Sequence, residues 1–299
     1  MTAVDVLLHH LLTTAPAPAP IASVPDAWAR HVALHPRFPE PVRHAAAAGF
    51  GADRLGYAFL SGYRAALQTL LPQLPADRTA ALCATEEGGG HPRAIKTLLR
   101  DGRLTGTKTF VTLGSFADYL VVIATDGERD GRPLLRATLV SSTTPGVTLA
   151  DRPPIPFAPE IPHAVLTLDA AEVADVLPDD GYLRYLKPFR TIEDVHVLAA
   201  AIGWLVQVAR RSGWPADIVE RLLVVLTSLT VLASADPAAA TTHVALGGVH
   251  TILAALVEEL PWDTTDSETR ARWTRDRALL SVAATVRAKR LDTAWRDLR

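Results

Sequence analysis

A single cysteine, Cys83, stands in a chain of 299 residues, which excludes a disulfide within the chain. Among apolar strand-forming neighbours that thiol reads as a small core residue rather than a nucleophile, and a reducing cytoplasmic setting is expected. Excess charge of one sign is missing as well. Thirty Lys and Arg face 32 Asp and Glu, for a net charge of -2. The arginines are scattered, so no basic field is available for a nucleic-acid backbone and no nucleic-acid partner is expected. Met1 to Leu12 is apolar but lacks the basic start and clean cleavage site of an export signal. No apolar run is expected to span a bilayer, because the longest candidates are broken by charge, Gly or Pro; no membrane partner is expected. His31, His35 and His44 are spaced too loosely for a ligand set, so no metal site is expected.

What is present is an ordinary globular composition, 48% hydrophobic and 21% charged, long enough for two or three packed subdomains. The order along the chain is helix, strand, helix. Asp26 to Leu34, Pro41 to Ala48 and Tyr57 to Leu71 carry helical patterns, preceded by a Pro-Ala spacer from Thr13 to Pro20. Short strands follow at Ala81 to Thr85, Ile95 to Arg100, Arg103 to Thr112, Tyr119 to Thr125, Leu134 to Ser141, Val147 to Ala150 and Ala164 to Leu168. Turns are expected between them at Asp101-Gly102, Asp126-Gly127, Asp130-Gly131 and Thr144-Pro145-Gly146. From Tyr182 onward the strand pattern stops, and Thr191 to Arg211, Ala216 to Ser234, Ala238 to Leu260 and Ser267 to Leu298 read as long helices. The expected fold class is α+β: a helical N-terminal domain over 1–79, an antiparallel β-barrel or sandwich over 80–180, and a C-terminal helical bundle over 181–299.

The densest stretch runs from Leu82 to Asp118. Thr85-Glu86-Glu87 leads into Gly88-Gly89-Gly90, where the backbone can take positive φ and approach an anion without a Cβ in the way. A lone glycine loop is also a common plain turn. The spacing adds information: Thr85-Glu86-x-Gly88-x-Gly90, then Ile95-x-Thr97, then Gly106-x-Lys108-x-Phe110-Val111-Thr112, then Ala117-Asp118 before an apolar strand. This joint pattern resembles the middle β-domain of the flavin-dependent acyl-CoA dehydrogenase family, and the helix, β, helix order is that family's order.

The resemblance implies FAD as cofactor, with Thr85 at the pyrimidine edge of the flavin, Gly90 and His91 in the anion-facing loop, Phe110 flanking the ring and Thr112 near its reactive nitrogen. Where the family follows its glycines with Ser-Asp, this chain has His91-Pro92, and the proline removes a backbone donor. The chemistry the resemblance implies needs a carboxylate base. Arg272-Trp273-Thr274-Arg275-Asp276 looks like the family's Arg-x-x-Arg-Asp motif, and counting on from it places Ala284 at the commoner base position. Counting back nine residues from Gly203 places Asp194 at the family's usual Arg, with Glu193 beside it as the alternative catalytic base. Thr191-x-x-Asp194 also reads as a helix N-cap, which would make Glu193 a first-turn acid favoured by the helix dipole. The helix that carries Gly203 breaks at Gly213-Trp214-Pro215, more than two turns before the family's next flavin-binding residues, which shortens the half of the site supplied in the family by a neighbouring subunit.

Two readings result. One is an FAD-dependent oxidoreductase of fatty acid metabolism that dehydrogenates an acyl thioester, with Glu193 as base and an electron-transfer partner. The other is a non-catalytic subunit or acyl-binding protein of the same fold that has lost flavin. Either is expected as a homodimer or homotetramer.

Overall fold

The computed structural model describes residues 2–16, 19–129 and 131–299. Ala17 and Pro18 of the Pro-Ala spacer, and Asp130 of the Asp130-Gly131 turn, lie outside the described residues. The elements are α1 (Ala3–Thr13), α2 (Val24–Leu34), α3 (Pro41–Phe50) and α4 (Leu55–Leu70), then β1 (Ala80–Cys83), β2 (Leu98–Arg100), β3 (Arg103–Thr112) and β4 (Tyr119–Arg129). There follow β5 (Arg132–Ser141), β6 (Val147–Asp151), β7 (His163–Glu172), β8 (Asp175–Val176), α5 (Lys187–Arg211), α6 (Ala216–Leu232), α7 (Ala240–Glu259), α8 (Ser267–Asp276) and α9 (Ala284–Asp297). The fold class is α+β, as expected. By contacts the chain divides into two compact units: a helical unit of Met1–Thr69, Pro156–Glu160 and Thr191–Arg299, and a β unit of Leu70–Ile155 and Ile161–Arg190. The N-terminal and C-terminal helices thus share one unit.

In the β unit the strand order is β6-β7-β3-β2-β4-β5-β8, with β1 paired to β4 off that path. β2 and β3 form the expected hairpin, with Asp101 and Gly102 at φ 49° and 71°, the positive pair that a tight turn needs. The sheet is mixed rather than wholly antiparallel, because β1 and β2 both run parallel to β4. β2 begins at Leu98, three residues later than expected, because Pro92–Ala94 forms a 3-10 turn that delays the strand. Asp126-Gly127 is not a turn: β4 runs through it, absorbing Gly127 at φ 93° where its pairing with β5 shifts register. Cys83, Leu104, Val111, Leu120, Val122 and Leu166 are fully buried inside the sheet, and burial pushes the Cys83 thiol up to about 12, as fits a core residue.

In the helical unit, α5 packs directly on α3. A Cβ at Gly203 would collide with the Ala46 carbonyl, so glycine is what lets the two backbones approach. Trp204, Trp262 and Trp273 stack on one another, with centroids 4.7 Å apart for the closest pair, Trp262 and Trp273. Ser267 to Leu298 is not one helix, since a 3-10 segment at Arg277–Ser281 separates α8 from α9. Nor does a helix begin at Thr191. A π-helical turn at Gly181–Leu186, capped by the Asp180 side chain, leads straight into α5 at Lys187, so Thr191, Glu193 and Asp194 lie beyond the first turn. Two helical stretches, Gly181–Arg211 and Ala240–Glu259, are long and apolar enough to cross a membrane by length and composition, against the expectation that none would be. The first is mostly buried within the protein, whereas α7 leaves Ala245, Gly248, Ile252 and Ala255 exposed.

Candidate functional site

The spaced signature folds into a scaffold. Glu86, from the start of the glycine loop, accepts hydrogen bonds from the Lys96 amide at 2.8 Å, the Thr97 amide at 3.1 Å and the Thr97 hydroxyl at 2.8 Å. The ammonium of Lys108, wholly buried on β3, donates to Glu86 Oε1 at 2.7 Å and to the Ile123 carbonyl at 2.5 Å. Gly106 lies against Thr97, whose Cα a Cβ there would strike. Burial works against the Glu86 carboxylate, but Lys108 and the amide and hydroxyl donors outweigh it and hold its pKa below the ordinary value. Four positions of the signature therefore meet at one buried pair. Asp118 closes the stretch by accepting from the Thr79 amide and hydroxyl, both at 2.8 Å, which ties the start of β4 to the start of β1.

On that scaffold Thr85 bridges Phe110 in an antiparallel β-bridge, and the Thr85 carbonyl accepts the Thr109 amide at 2.8 Å. Thr112 pairs with His163 of β7. The His163 and Phe110 ring centroids are 4.4 Å apart, and the Arg152 guanidinium carbon lies 5.6 Å from the Phe110 centroid. His163 is 6% exposed and its Nδ1 is buried without a hydrogen-bond partner among the described residues. Burial keeps this imidazole below its ordinary pKa. A Cβ at Gly90 would meet Thr85 Oγ1 and Arg190 Nη2 at an ordinary contact distance of 3.8 Å, and Arg190 donates to the Gly90 carbonyl at 3.0 Å. His91 is exposed, and its Nδ1 accepts the Arg93 amide at 3.2 Å within its own turn. Arg190 and His163 went unnoticed in the sequence, because only the folded chain brings them to the loop and to Phe110.

The remaining predicted residues belong to the helical unit. Glu193 is half-buried on α5, past the amides that a capping acid would serve. Its neighbour Asp194 pairs with Arg287, at 3.1 Å, and with Arg290, both from α9. Arg272 of the Arg-x-x-Arg-Asp motif reaches Asp53 at 3.6 Å, Trp273 joins the tryptophan stack, and Arg275 grips Asp276 at 2.6 and 2.7 Å. Asp276 in turn accepts the Ala158 amide at 2.7 Å. The motif thus ties α8 to the rest of the helical unit, and Ala284 opens α9. Arg210 and Arg211 at the end of α5 are engaged internally, Arg210 on the Thr14 carbonyl at 2.8 Å and Arg211 on the Thr269 hydroxyl at 2.7 Å.

No family model matches the sequence, and no curated protein matches it. Solved structures do match in fold. The chain is similar to butyryl-CoA dehydrogenase from Megasphaera elsdenii, at 15% identity and a TM-score of 0.68 over 99% of this chain and 96% of that one. It is similar to the prolyl acyl carrier protein oxidase AnaB, at 15% identity and a TM-score of 0.68 over 97% of each chain. The structure of PigA with FAD and proline matches at 12% identity and a TM-score of 0.66 over 99% of this chain and 97% of that one. The chain has the fold of the acyl-CoA dehydrogenase-like flavoproteins.

Proposed function

We propose that this protein is an FAD-dependent oxidoreductase that dehydrogenates an acyl thioester between its α and β carbons, with Glu193 as the base. The observation that carries this reading is the Thr85–Phe110 bridge, which joins the two halves of the sequence signature in one β unit. The residues there fit a flavin's ring: Phe110 offers an aromatic face, Thr85 and Thr112 offer hydroxyls, His163 has a buried Nδ1 with no partner among the described residues, and Gly90 has no Cβ to stand between the loop and a ligand. Arg190, held on the Gly90 carbonyl, adds a positive charge beside the loop for a phosphate. When bound, FAD would supply the two-electron acceptor. Glu193 takes the α-proton, a role that its place beyond the first turn of α5 leaves open to it. The thioester's carrier is coenzyme A or a carrier protein, the two kinds that the names of the structural neighbours contain. The exposed apolar side of α7 supports a homo-oligomer, and an electron-transfer partner would reoxidise the cofactor.

A second reading rests on particular residues. His91 uses its Nδ1 within its own turn, Pro92 has no amide hydrogen, and Ala284 stands at the commoner base position, so a flavin-free, non-catalytic subunit of this fold is the alternative. Absorbance near the flavin bands after desalting separates the two: retained flavin supports the first, and a colourless protein that takes up no added FAD supports the second. In a flavin-bearing protein, Glu193→Gln is expected to keep the cofactor and fold while losing anaerobic bleaching by any acyl thioester that the wild type accepts. Bleaching at the wild-type rate would remove Glu193 from the mechanism.

A further inference from the structure

Among the helices of the C-terminal part lies an open cavity of about 660 Å³, a volume suited to a small organic ligand. Every residue that lines it belongs to the helical unit. Leu198 of α5, Leu246 and Leu253 of α7, and Leu280 and Leu291 near or on α9 make much of its wall apolar. Small residues on facing helices, Ala254 on α7 and Ala288 on α9, keep the space from being filled by the protein itself.

The polar groups of the wall are unevenly charged. Arg277, Arg287 and Arg290 line it together with Glu258, and Asp194 pairs with both Arg287 and Arg290. Three guanidiniums against two carboxylates leave one positive charge in excess. His250, on α7, sits close enough to Arg287, Asp194 and Arg290 to feel their charges, and burial pushes its pKa down to about 4. Its Nε2 is buried without a hydrogen-bond partner among the described residues. A neutral imidazole that lines the cavity with a hydrogen bond left unfilled, beside an excess positive charge and an apolar wall, suits a ligand that the protein does not itself supply.

We propose that this cavity is a binding site for a single-chain carboxylate amphiphile, the apolar chain lying along the leucines and the carboxylate accepting from His250 within the field of Arg287 and Arg290. An uncharged amphiphile of the same length would fill the cavity but leave the excess charge unmatched. The site depends on residues of one unit only, so it stands whether or not flavin is bound.

Decanoate and 1-decanol, titrated separately into the full chain by calorimetry at pH 7.5, test this. The expected result is one saturable decanoate site per chain, with decanoate about tenfold or more tighter than decanol. His250→Leu should weaken decanoate about tenfold while changing decanol less than about threefold. Ala288→Trp should abolish binding of both, with circular dichroism and the melting temperature showing that the variant is folded. Ala254→Trp blocks the same space from α7, so loss of binding in both variants locates the site even where one of them is destabilised. The proposal is overturned if the wild type binds no decanoate saturably, if decanol binds as tightly, or if both tryptophan variants bind like the wild type. It is overturned too if decanoate fails to bind and Ala288→Trp instead changes the mass measured by light scattering, which would make the cavity a contact between copies of the chain. Because the readout is heat and not flavin bleaching, a negative result here leaves the oxidoreductase reading untouched, and the reverse.

Discussion

In the β unit a buried charged pair, Glu86 and Lys108, is held by contacts in which each partner meets the other and further donors or acceptors. In the helical unit they include imidazoles held neutral: His31, His44 and His196, at 3%, 4% and 1% exposure. His196 shows how that is done, its Nδ1 facing the Ile192 carbonyl at 2.7 Å and its Nε2 the Thr69 hydroxyl at 2.9 Å. Burial then pushes His44 and His196 down to about 4 and His31 well below its ordinary value. A buried carboxylate needs a full set of partners, which the sheet and its glycine loop give Glu86 and which Arg275 and the Ala158 amide give Asp276 in the helical unit. Helices spend their amides on themselves, so a neutral imidazole with one donor and one acceptor costs less to enclose.

The contrast sets the response to acid, and the largest effect is expected there. An unfolded histidine takes a proton below about pH 6.5, whereas these three stay neutral when folded until far lower. Protons therefore favour the unfolded chain, and stability present above about pH 6.5 is lost as the pH falls, by about 1.4 kcal/mol per pH unit for each such histidine. Glu86, whose folded pKa is also lowered, acts in the same direction but at lower pH: its contribution is intact down to the ordinary carboxylate range and fades only below it. Urea denaturation at pH 7.5 and 5.0, followed by tryptophan fluorescence, should show a marked loss of stability by pH 5.0. The tryptophan stack belongs to the helical unit, so the signal reports on the right region. An unchanged midpoint would mean that the imidazoles are not held neutral.

Next in size is Lys108→Met. It strands the Glu86 carboxylate in the interior and is expected to cost about 3–5 kcal/mol, with partial recovery when Glu86→Gln is added. Equal losses in the single and double variants would show that packing, and not the charge pair, is what Lys108 contributes. Gly203→Ala in the helical unit should cost about 1–3 kcal/mol, because α3 and α5 must separate to admit the methyl group. A melting temperature within a degree of the wild type would mean that the contact has slack. Gly102→Ala, at an exposed turn with φ 71°, should cost only about 1 kcal/mol and leave the β unit's circular dichroism unchanged.

Much of this molecule was legible before folding. Turn chemistry at Asp101-Gly102, the strand from Arg103 to Thr112, and the helical patterns of α2, α3 and α4 and of three of the C-terminal helices depend on neighbours a few residues away, and such signals survive in a linear chain. The candidate site was legible in part. Thr85 and Phe110 could be named because their spacing follows a pattern, but what that pattern is built around, Glu86 meeting Thr97 and Lys108, needed the chain folded over itself. Nothing local announced that β1 and β2 would run parallel to β4, since parallel partners are joined by long connections that carry no turn signature. Nor did anything local place His163 beside Phe110, Arg190 on the Gly90 carbonyl, or Asp194 between two arginines of α9 roughly a hundred residues away. Local composition determined which segments became helix or strand, because backbone preference and apolar period act over one or two turns. Which charges were paired, which imidazoles were kept neutral and which cavities stayed open was decided by tertiary packing alone, because those outcomes depend on the surroundings that distant residues build around each group.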